Sequence, residues 1–324
     1  MVEVIKDEDN SSAGGISVTV YDSWGEVKGS GTTQSADSTT GILKAGQFRA
    51  HTNLDSDETT SDFSGPCECT STRTITRTTT GCSVCKRGDG GGNTITETQE
   101  FAAKGHVKDD GSTALSAYDK DNLAQECSKC GHVLFGTYEQ DGDSSTTDTI
   151  EWVKVGDVSQ DTNGNKTQKL ISLQGLDVVK WNNSTSDGNI WNGTCNIRDW
   201  LNSTGSYASA GGFYNTAFKV SEQAKIVSTD LSDVDATGDK VFLLSSDEAS
   251  ELASDVLKCV PTTAAVTNRV IKDSDTGRCD WWLRSKGSLD SGYAAIVTDV
   301  YVYSSGFNVS GLGYAARPVI NLLL

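Results

Sequence analysis

Six of the seven tryptophans, Trp152, Trp181, Trp191, Trp200, Trp281 and Trp282, lie beyond residue 150. From there the sequence changes character, and residues of this size are mostly buried. The stretch 148–324 has about 175 residues, enough for a core. Residues 150–155 and 168–173 read as two strands, with a turn at 161–165 between them. Ile197, Trp200 and Leu201 are spaced as on a short amphipathic helix, with Thr194 as its N-cap. Residues 241–244 read as a buried strand. Ser245 and Glu248 form a capping box opening a helix that carries Ala249, Leu252, Ala253 and Val256. Segments 278–284, 294–302 and 316–323 supply closing strands. The fold class expected is α+β.

The first half is different. Residues 1–64 are rich in Ser, Thr, Gly and Asp, with apolar–polar alternation over 16–21 and a further strand candidate at 46–51, so a small polar β-module or a partly disordered segment is expected. Residues 65–147 form a cysteine-rich segment, with a polar strand over 70–80 and a loop at 88–93. Six of the nine cysteines sit there in close pairs, Cys67 and Cys69, Cys82 and Cys85, Cys127 and Cys130. An odd total with CxxC spacing points to metal ligation more than to a disulfide framework. Two knuckles can supply the four thiolates of a closed structural zinc site, giving a zinc-ribbon-like region. The allocation stays open, because a thiolate of the 67/69 pair with Cys82, Cys85 and His106 would serve equally. A catalytic zinc would need an open coordination position and a nearby base, and the sequence offers no base there. Cys195, Cys259 and Cys279 stand apart and read as small buried apolar residues.

Composition closes other routes. A net charge of −17 argues against a nucleic-acid or anionic membrane surface. No run of apolar residues is long enough to span a bilayer, and the first residues lack the basic and apolar regions of a signal peptide, so synthesis in the cytoplasm without that export route is expected. The three histidines are His51, His106 and His132, so 148–324 cannot hold a Ser-His-Asp arrangement. Lys166 stands where the calcium loop suggested by the spacing of Asp161, Asn163 and Asn165 would need Gly.

Near the C-terminus a fixed frame surrounds a stretch of different character. The frame is Cys279-Asp280-Trp281-Trp282-Leu283-Arg284-Ser285 on one side and Arg317-Pro318-Val319-Ile320-Asn321-Leu322 on the other. Between them 287–316 is dominated by Tyr, Ser, Gly and Ala with Asp, Asn and Phe. Paratope loops use a similar palette, since Tyr gives contact area at low entropic cost and Ser, Gly and Asn give adaptable hydrogen bonds.

In order along the chain, Glu151-Trp152, Asn196-Ile197-Arg198-Asp199-Trp200-Leu201-Asn202, Val241-Phe242-Leu243-Leu244-Ser245, Trp281-Trp282-Leu283-Arg284-Ser285 and Arg317-Pro318 resemble a C-type-lectin-fold domain. It is the kind shared by formylglycine-generating-enzyme-like proteins and the variable proteins of diversity-generating retroelements. The resemblance covers roughly 148–324. It implies a ligand-binding protein whose adenine-mutagenised codons, typically AAY, rewrite a surface but never write Lys, Glu, Gln, Met or Trp. Those five types make up 48 of the 324 residues, and the 30 residues of 287–316 contain none where about four are expected.

The resemblance, with strand alternation over 297–303, places Val297, Val302 and Val309 toward the core, Ala294 and Ala295 in close packing and Gly306 in a turn. It projects outward Leu289, Asp290, Tyr293, Ile296, Thr298, Asp299, Tyr301, Tyr303, Ser304, Ser305, Phe307, Asn308, Ser310, Leu312 and Tyr314. The implied partner is a protein or glycan on a target cell or host surface, and the implied location is a virion tail or a cell surface. The sugar-binding calcium triplets of animal C-type lectins are absent, so no calcium-mediated sugar site is expected. Two alternatives accompany this reading. One is a formylglycine-generating-type oxidoreductase, which would need a reactive or copper-binding cysteine pair, although neither Cys259 nor Cys279 sits in that enzyme's motif. The other is an adhesin of the same fold without diversification.

Overall fold

The structure is a computed structural model. It describes residues 17–21, 27–32, 55–60, 69, 73–80, 94–101, 105–107, 114–115, 125–160, 164–184, 191–192, 195–209 and 211–324. The chain divides into two compact units, 1–61 with 74–100, and 62–73 with 101–324. These limits differ from the three segments read from sequence, because the region just before residue 148 pairs into the same sheet as the strand that follows it.

In the first unit β1 (Ser17–Tyr21) pairs antiparallel with β2 (Val27–Thr32), while β3 (Asp55–Thr60), β4 (Arg73–Thr80) and β5 (Thr94–Phe101) form a three-stranded sheet. β1 and β4 are the strands expected from 16–21 and 70–80. The expected strand at 46–51 and loop at 88–93 lie outside the described residues.

The second unit is mixed α and β, mostly sheet with short helices. Its strands are β6 (Gln125–Glu126), β7 (Val133–Tyr138), β8 (Asp148–Gln160), β9 (Lys166–Ser172), β10 (Asp177–Val178), β11 (Thr229–Leu231), β12 (Ala236–Asp239), β13 (Val241–Phe242), β14 (Trp281–Lys286), β15 (Tyr293–Thr298), β16 (Tyr301–Asn308), β17 (Ala315–Ala316) and β18 (Val319–Leu323). Its helices are α1 (Asn196–Asn202), α2 (Phe213–Ala217), α3 (Val220–Gln223), α4 (Ser246–Ser250), α5 (Ser254–Leu257) and α6 (Thr263–Thr267). One sheet runs β13-β18-β9-β8-β7-β6 and the other β10-β17-β14-β15-β16, with β11 and β12 pairing separately. Arg317-Pro318 lies between β17 and β18, where the chain leaves one sheet for the other.

The tryptophans build the core. Trp152, Trp181, Trp191, Trp281 and Trp282 are essentially fully buried. Their indole N–H groups donate to Phe135 O, Leu283 O, Asp239 Oδ2, Leu257 O and Val179 O at 2.7, 2.9, 2.9, 3.1 and 3.1 Å. Each indole thus joins segments distant in sequence, and no buried donor of the five is left unsatisfied. Arg284 is buried as well and donates to Asp233, to Glu248 Oε2 at 2.5 Å and to Leu243 O at 2.7 Å. That pins the Trp-Trp-Leu-Arg strand to α4.

Four local expectations need correction. The N-cap of α1 is Cys195, without a side-chain cap, and not Thr194. Ser245 and Glu248 do form the capping box, but α4 stops at Ser250 and α5 begins at Ser254, so one expected helix is two. Glu248 is pulled to Lys169 and Arg284, fixing α4 by tertiary ion pairs instead of by continued helix. The expected strand 294–302 is a hairpin: Thr298 pairs with Tyr301 across Asp299-Val300, and Asp299 takes φ 52°, a left-handed conformation Asp tolerates. Gly306 lies inside β16, not in a turn. Its φ is 78°, and a Cβ there would stand 2.4 Å from Ala294 O, so the bulge between Ala294 and Ile296 needs glycine.

Candidate ligand-binding surface and metal centre

β16 is the edge strand of its sheet, and the window 287–316 wraps around it. The wrapping is held chiefly by main chain. Gly287 N–H donates to Tyr293 O at 2.8 Å, Ser288 N–H to Ser304 O at 2.9 Å, Val309 N–H to Gly292 O at 2.9 Å and Gly311 N–H to Asn308 O at 2.9 Å. Outside contacts are also main chain: Asn182 N–H reaches Val309 O at 2.8 Å, Ile271 N–H reaches Gly313 O at 2.9 Å, and Ala315 N–H reaches Asp280 O at 2.8 Å. Such bonds are independent of side-chain identity, so the backbone path survives changes in the side chains it carries.

Of the residues expected to project outward, Leu289, Asp290, Asp299, Tyr301, Tyr303, Ser304, Phe307, Asn308 and Leu312 are exposed. Tyr293, Thr298, Ser305, Ser310 and Tyr314 are half-buried. Ile296 is the correction: it is fully buried beside Val297. β15 lies between β14 and β16, and α4 packs against this sheet, so both faces of the strand are covered and alternation no longer separates core from surface. Val297 and Val309 are fully buried and Val302 packs partly buried on the core, while Ala294 and Ala295 are fully enclosed.

The aromatic residues form a continuous line from core to solvent. Tyr314 packs on buried Trp282 with ring centroids 4.5 Å apart, Phe307 on Tyr314 at 5.4 Å and Tyr303 on Phe307 at 5.4 Å. Tyr301 is 71% exposed and Leu289 67%. Ile271, 71% exposed, also belongs here, because its side chain touches Gly313 beside Leu312. Sequence reasoning missed it, since it lies outside the window and nothing in its local pattern marks it. Asp299 is held by an ion pair with Arg278, and the Asp290 and Asn308 carboxyl and amide oxygens accept from Gly292 and Ser310 N–H at 2.8 and 2.9 Å.

The second feature is sulfur-rich. Cys69 Sγ, one His106 ring nitrogen, Cys127 Sγ and Cys130 Sγ all lie within 4.8 Å of one another. Cys69 Sγ is 3.8 Å from Cys127 Sγ, and Cys130 Sγ is 3.6 Å from His106 Nδ1. Two thiolates bound at about 2.3 Å to a tetrahedral ion stand about 3.8 Å apart, so the spacing fits a metal. The knuckle is shaped by main chain: Gly131, at φ 71°, donates to Cys127 O at 2.8 Å, and Cys127 N–H reaches His132 O at 2.8 Å. The arrangement takes Cys69 and His106 as partners of Cys127 and Cys130. Cys67, Cys82 and Cys85 lie outside the described residues.

Behind His106 stands Glu151, on β8. Its Oε1 is 3.3 Å from His106 Nε2 and 2.5 Å from His132 Nδ1. The bond to Glu151 raises the His106 pKa to about 9 against the opposing effect of burial. Burial acts to raise Glu151, yet the two histidines outweigh it and bring it down to about 2. For Cys127, burial is likewise outweighed, here by amide hydrogen bonds from Cys130 and Val107 and by His106, leaving the thiol at about 6. Metal-binding histidines commonly place a carboxylate on the far ring nitrogen in this way. Glu151→Gln is therefore expected to weaken metal affinity roughly 10- to 100-fold while keeping one metal per chain, as read by competition with a chromophoric chelator. Unchanged affinity would show that Glu151 does not orient His106.

A family described as a domain of unknown function (DUF6273) matches residues 165–324. The match takes in β9 through β18 and the whole exposed window, and it leaves out the cysteines and histidines of the metal centre. Comparisons with curated proteins and with solved structures return no match.

Proposed function

We propose that this protein is a binding protein, and not an enzyme, whose 148–324 region is a C-type-lectin-like scaffold presenting a diversifiable surface to a protein or glycan ligand. The observation that carries the reading is an overlap. The window lacking Lys, Glu, Gln, Met and Trp is also the stretch that carries Leu289, Tyr301, Tyr303, Phe307 and Leu312 into solvent on a main-chain-bonded frame. Exposed aromatic and aliphatic side chains grouped in this way are the usual anchors of an interface. Adenine mutagenesis by a retroelement accounts for the missing residue types, and a virion tail or a cell surface is where such a display would act.

Sequencing sibling copies of the gene tests this. Differences should fall at the exposed and half-buried positions between 289 and 314, spare Ile296, Val297 and Val309, and accompany an adenine-rich template repeat. Uniform codons across the window would sink the diversification reading. The metal in the cluster of Cys69, His106, Cys127 and Cys130 is proposed to be zinc. Three thiolates with one imidazole would close the tetrahedral coordination of zinc, an ion without redox chemistry, and such a closed site suits a structural role.

A further inference from the structure

The sulfur-rich cluster adjoins a second set of donors. Cys130 Sγ, a ring nitrogen of His132 and a carboxylate oxygen of Glu151 also lie within 4.8 Å of one another, so Cys130 belongs to both sets. His132 follows it across Gly131, at φ 71°, and Glu151 comes from β8. His132 Nδ1 and Glu151 Oε1 stand 2.5 Å apart, and the same oxygen is 3.3 Å from His106 Nε2. The two sets are therefore joined twice, through the Cys130 sulfur and through the His106 ring, whose Nδ1 is 3.6 Å from that sulfur. The second set is not sealed in the core. Cys130, His132 and Glu151 are each half-buried. Among the described residues nothing lies within 4 Å of the place a Cβ would take on Gly131, so the knuckle is open between Cys130 and His132.

Charge favours a second ion. Cysteines bound to a metal are thiolates. Those of Cys69, Cys127 and Cys130 with the Glu151 carboxylate bring four negative charges, and one divalent ion offsets two of them. A second divalent ion offsets the rest. A thiolate keeps lone pairs after binding one ion, so Cys130 is able to bridge. A carboxylate has about four lone-pair positions, so Glu151 is able to keep its bond from His106 while it binds an ion. Nitrogen and oxygen ligands of a tetrahedral zinc stand about 3.4 Å apart, so seating the ion asks His132 and Glu151 to part by about 0.9 Å. Rotation of two side chains supplies that movement, and the ion takes the place of the proton they share.

We propose that Cys130, His132 and Glu151 bind a second divalent ion of the zinc class, with Cys130 bridging it to the ion of the first set. The inference rests on the reading of Cys69, His106, Cys127 and Cys130 as a zinc centre. The two positions differ in kind. The first has four protein ligands and is closed, whereas the second has three and leaves its fourth place to water or to a donor from outside the chain. A shared sulfur and an open place make the second ion the weaker and the exchangeable one. It leaves when free zinc is removed, so a desalted chain keeps the tight ion alone.

The test counts zinc on the full chain by equilibrium dialysis over a series of free zinc concentrations, with the parent, His132→Gln and Glu151→Gln side by side. The tight ion fills first in all three. At higher free zinc the parent is expected to take one ion more than either variant. Cobalt supplies a second readout. Two cobalt ions bridged by one thiolate couple magnetically, so the second equivalent should diminish the paramagnetic resonance signal of the first, whereas an ion bound elsewhere adds its own. A parent that holds the tight ion but whose count both variants match at every concentration, or a cobalt signal that doubles, would overturn this inference alone. A parent that binds no zinc would take the zinc reading of the first set down with it.

Discussion

Stripping the metal from Cys69, His106, Cys127 and Cys130 is expected to unfold the segment those ligands gather, while the tryptophan-rich sheets stay folded. Among the described residues the apolar cluster around the centre holds Cys69, Val107 and Cys127, with Leu115 and Cys130 against it, and three of these five are ligands themselves. Ligands that themselves make up the packed cluster tie its packing to the metal, because a small module depends on such a staple to offset the entropy of ordering its chain. A structural zinc contributes an apparent 10–16 kcal/mol, roughly, in isolated zinc modules, comparable with the whole stability of a domain. The purified chain should contain one zinc. A strong chelator should remove it and expose the chain around Cys69 and over 105–132 to protease, with cleavage at least about tenfold faster, while tryptophan fluorescence from the core changes little. Cys127→Ser should abolish stoichiometric binding, since it removes the thiolate that touches Cys69 and holds the knuckle. A chain that carries no zinc, or whose protease pattern ignores the chelator, would refute the assignment.

What the sequence disclosed and what it withheld follow from how far each signal reaches. Local chemistry could be read directly. The Ser245–Glu248 capping box, the paired strands around 150–173 and the Cys127–His132 knuckle need only neighbours within a few residues, and all are present. The partners of the knuckle were not readable, because CxxC spacing names a type of ligand and not the distant residue that completes it. Chain folding brings Cys69 and His106 there. Glu151 was noticed only as a neighbour of Trp152; its link to two histidines is a tertiary fact without a local mark. Ile296 was misplaced for a related reason. Alternation assigns faces, and it tells core from surface only when one face is wet, whereas β15 is covered on both sides.

That misplaced residue sharpens the second prediction, which separates frame from filling by stability alone and needs no ligand. Ile296 is fully enclosed, so Ile296→Ala should cost about 2–5 kcal/mol through lost burial and a residual cavity. Trp282→Ala should cost about 3–5 kcal/mol, at the upper end, because it also strands Val179 O and removes the platform under Tyr314. Tyr301→Ser, Ser304→Ala and Leu289→Ser should each stay within roughly 0.5 kcal/mol of the parent, since their side chains face water. Tyr303 and Phe307 should fall between, because the line of stacked rings anchors them to Tyr314. Urea unfolding midpoints at constant slope measure all of these. If Tyr301→Ser cost as much as Ile296→Ala, the window would be core and could not accept rewriting. If the two sets separate as expected, the fold holds without the side chains it displays, and that is the physical condition for one scaffold to carry many surfaces.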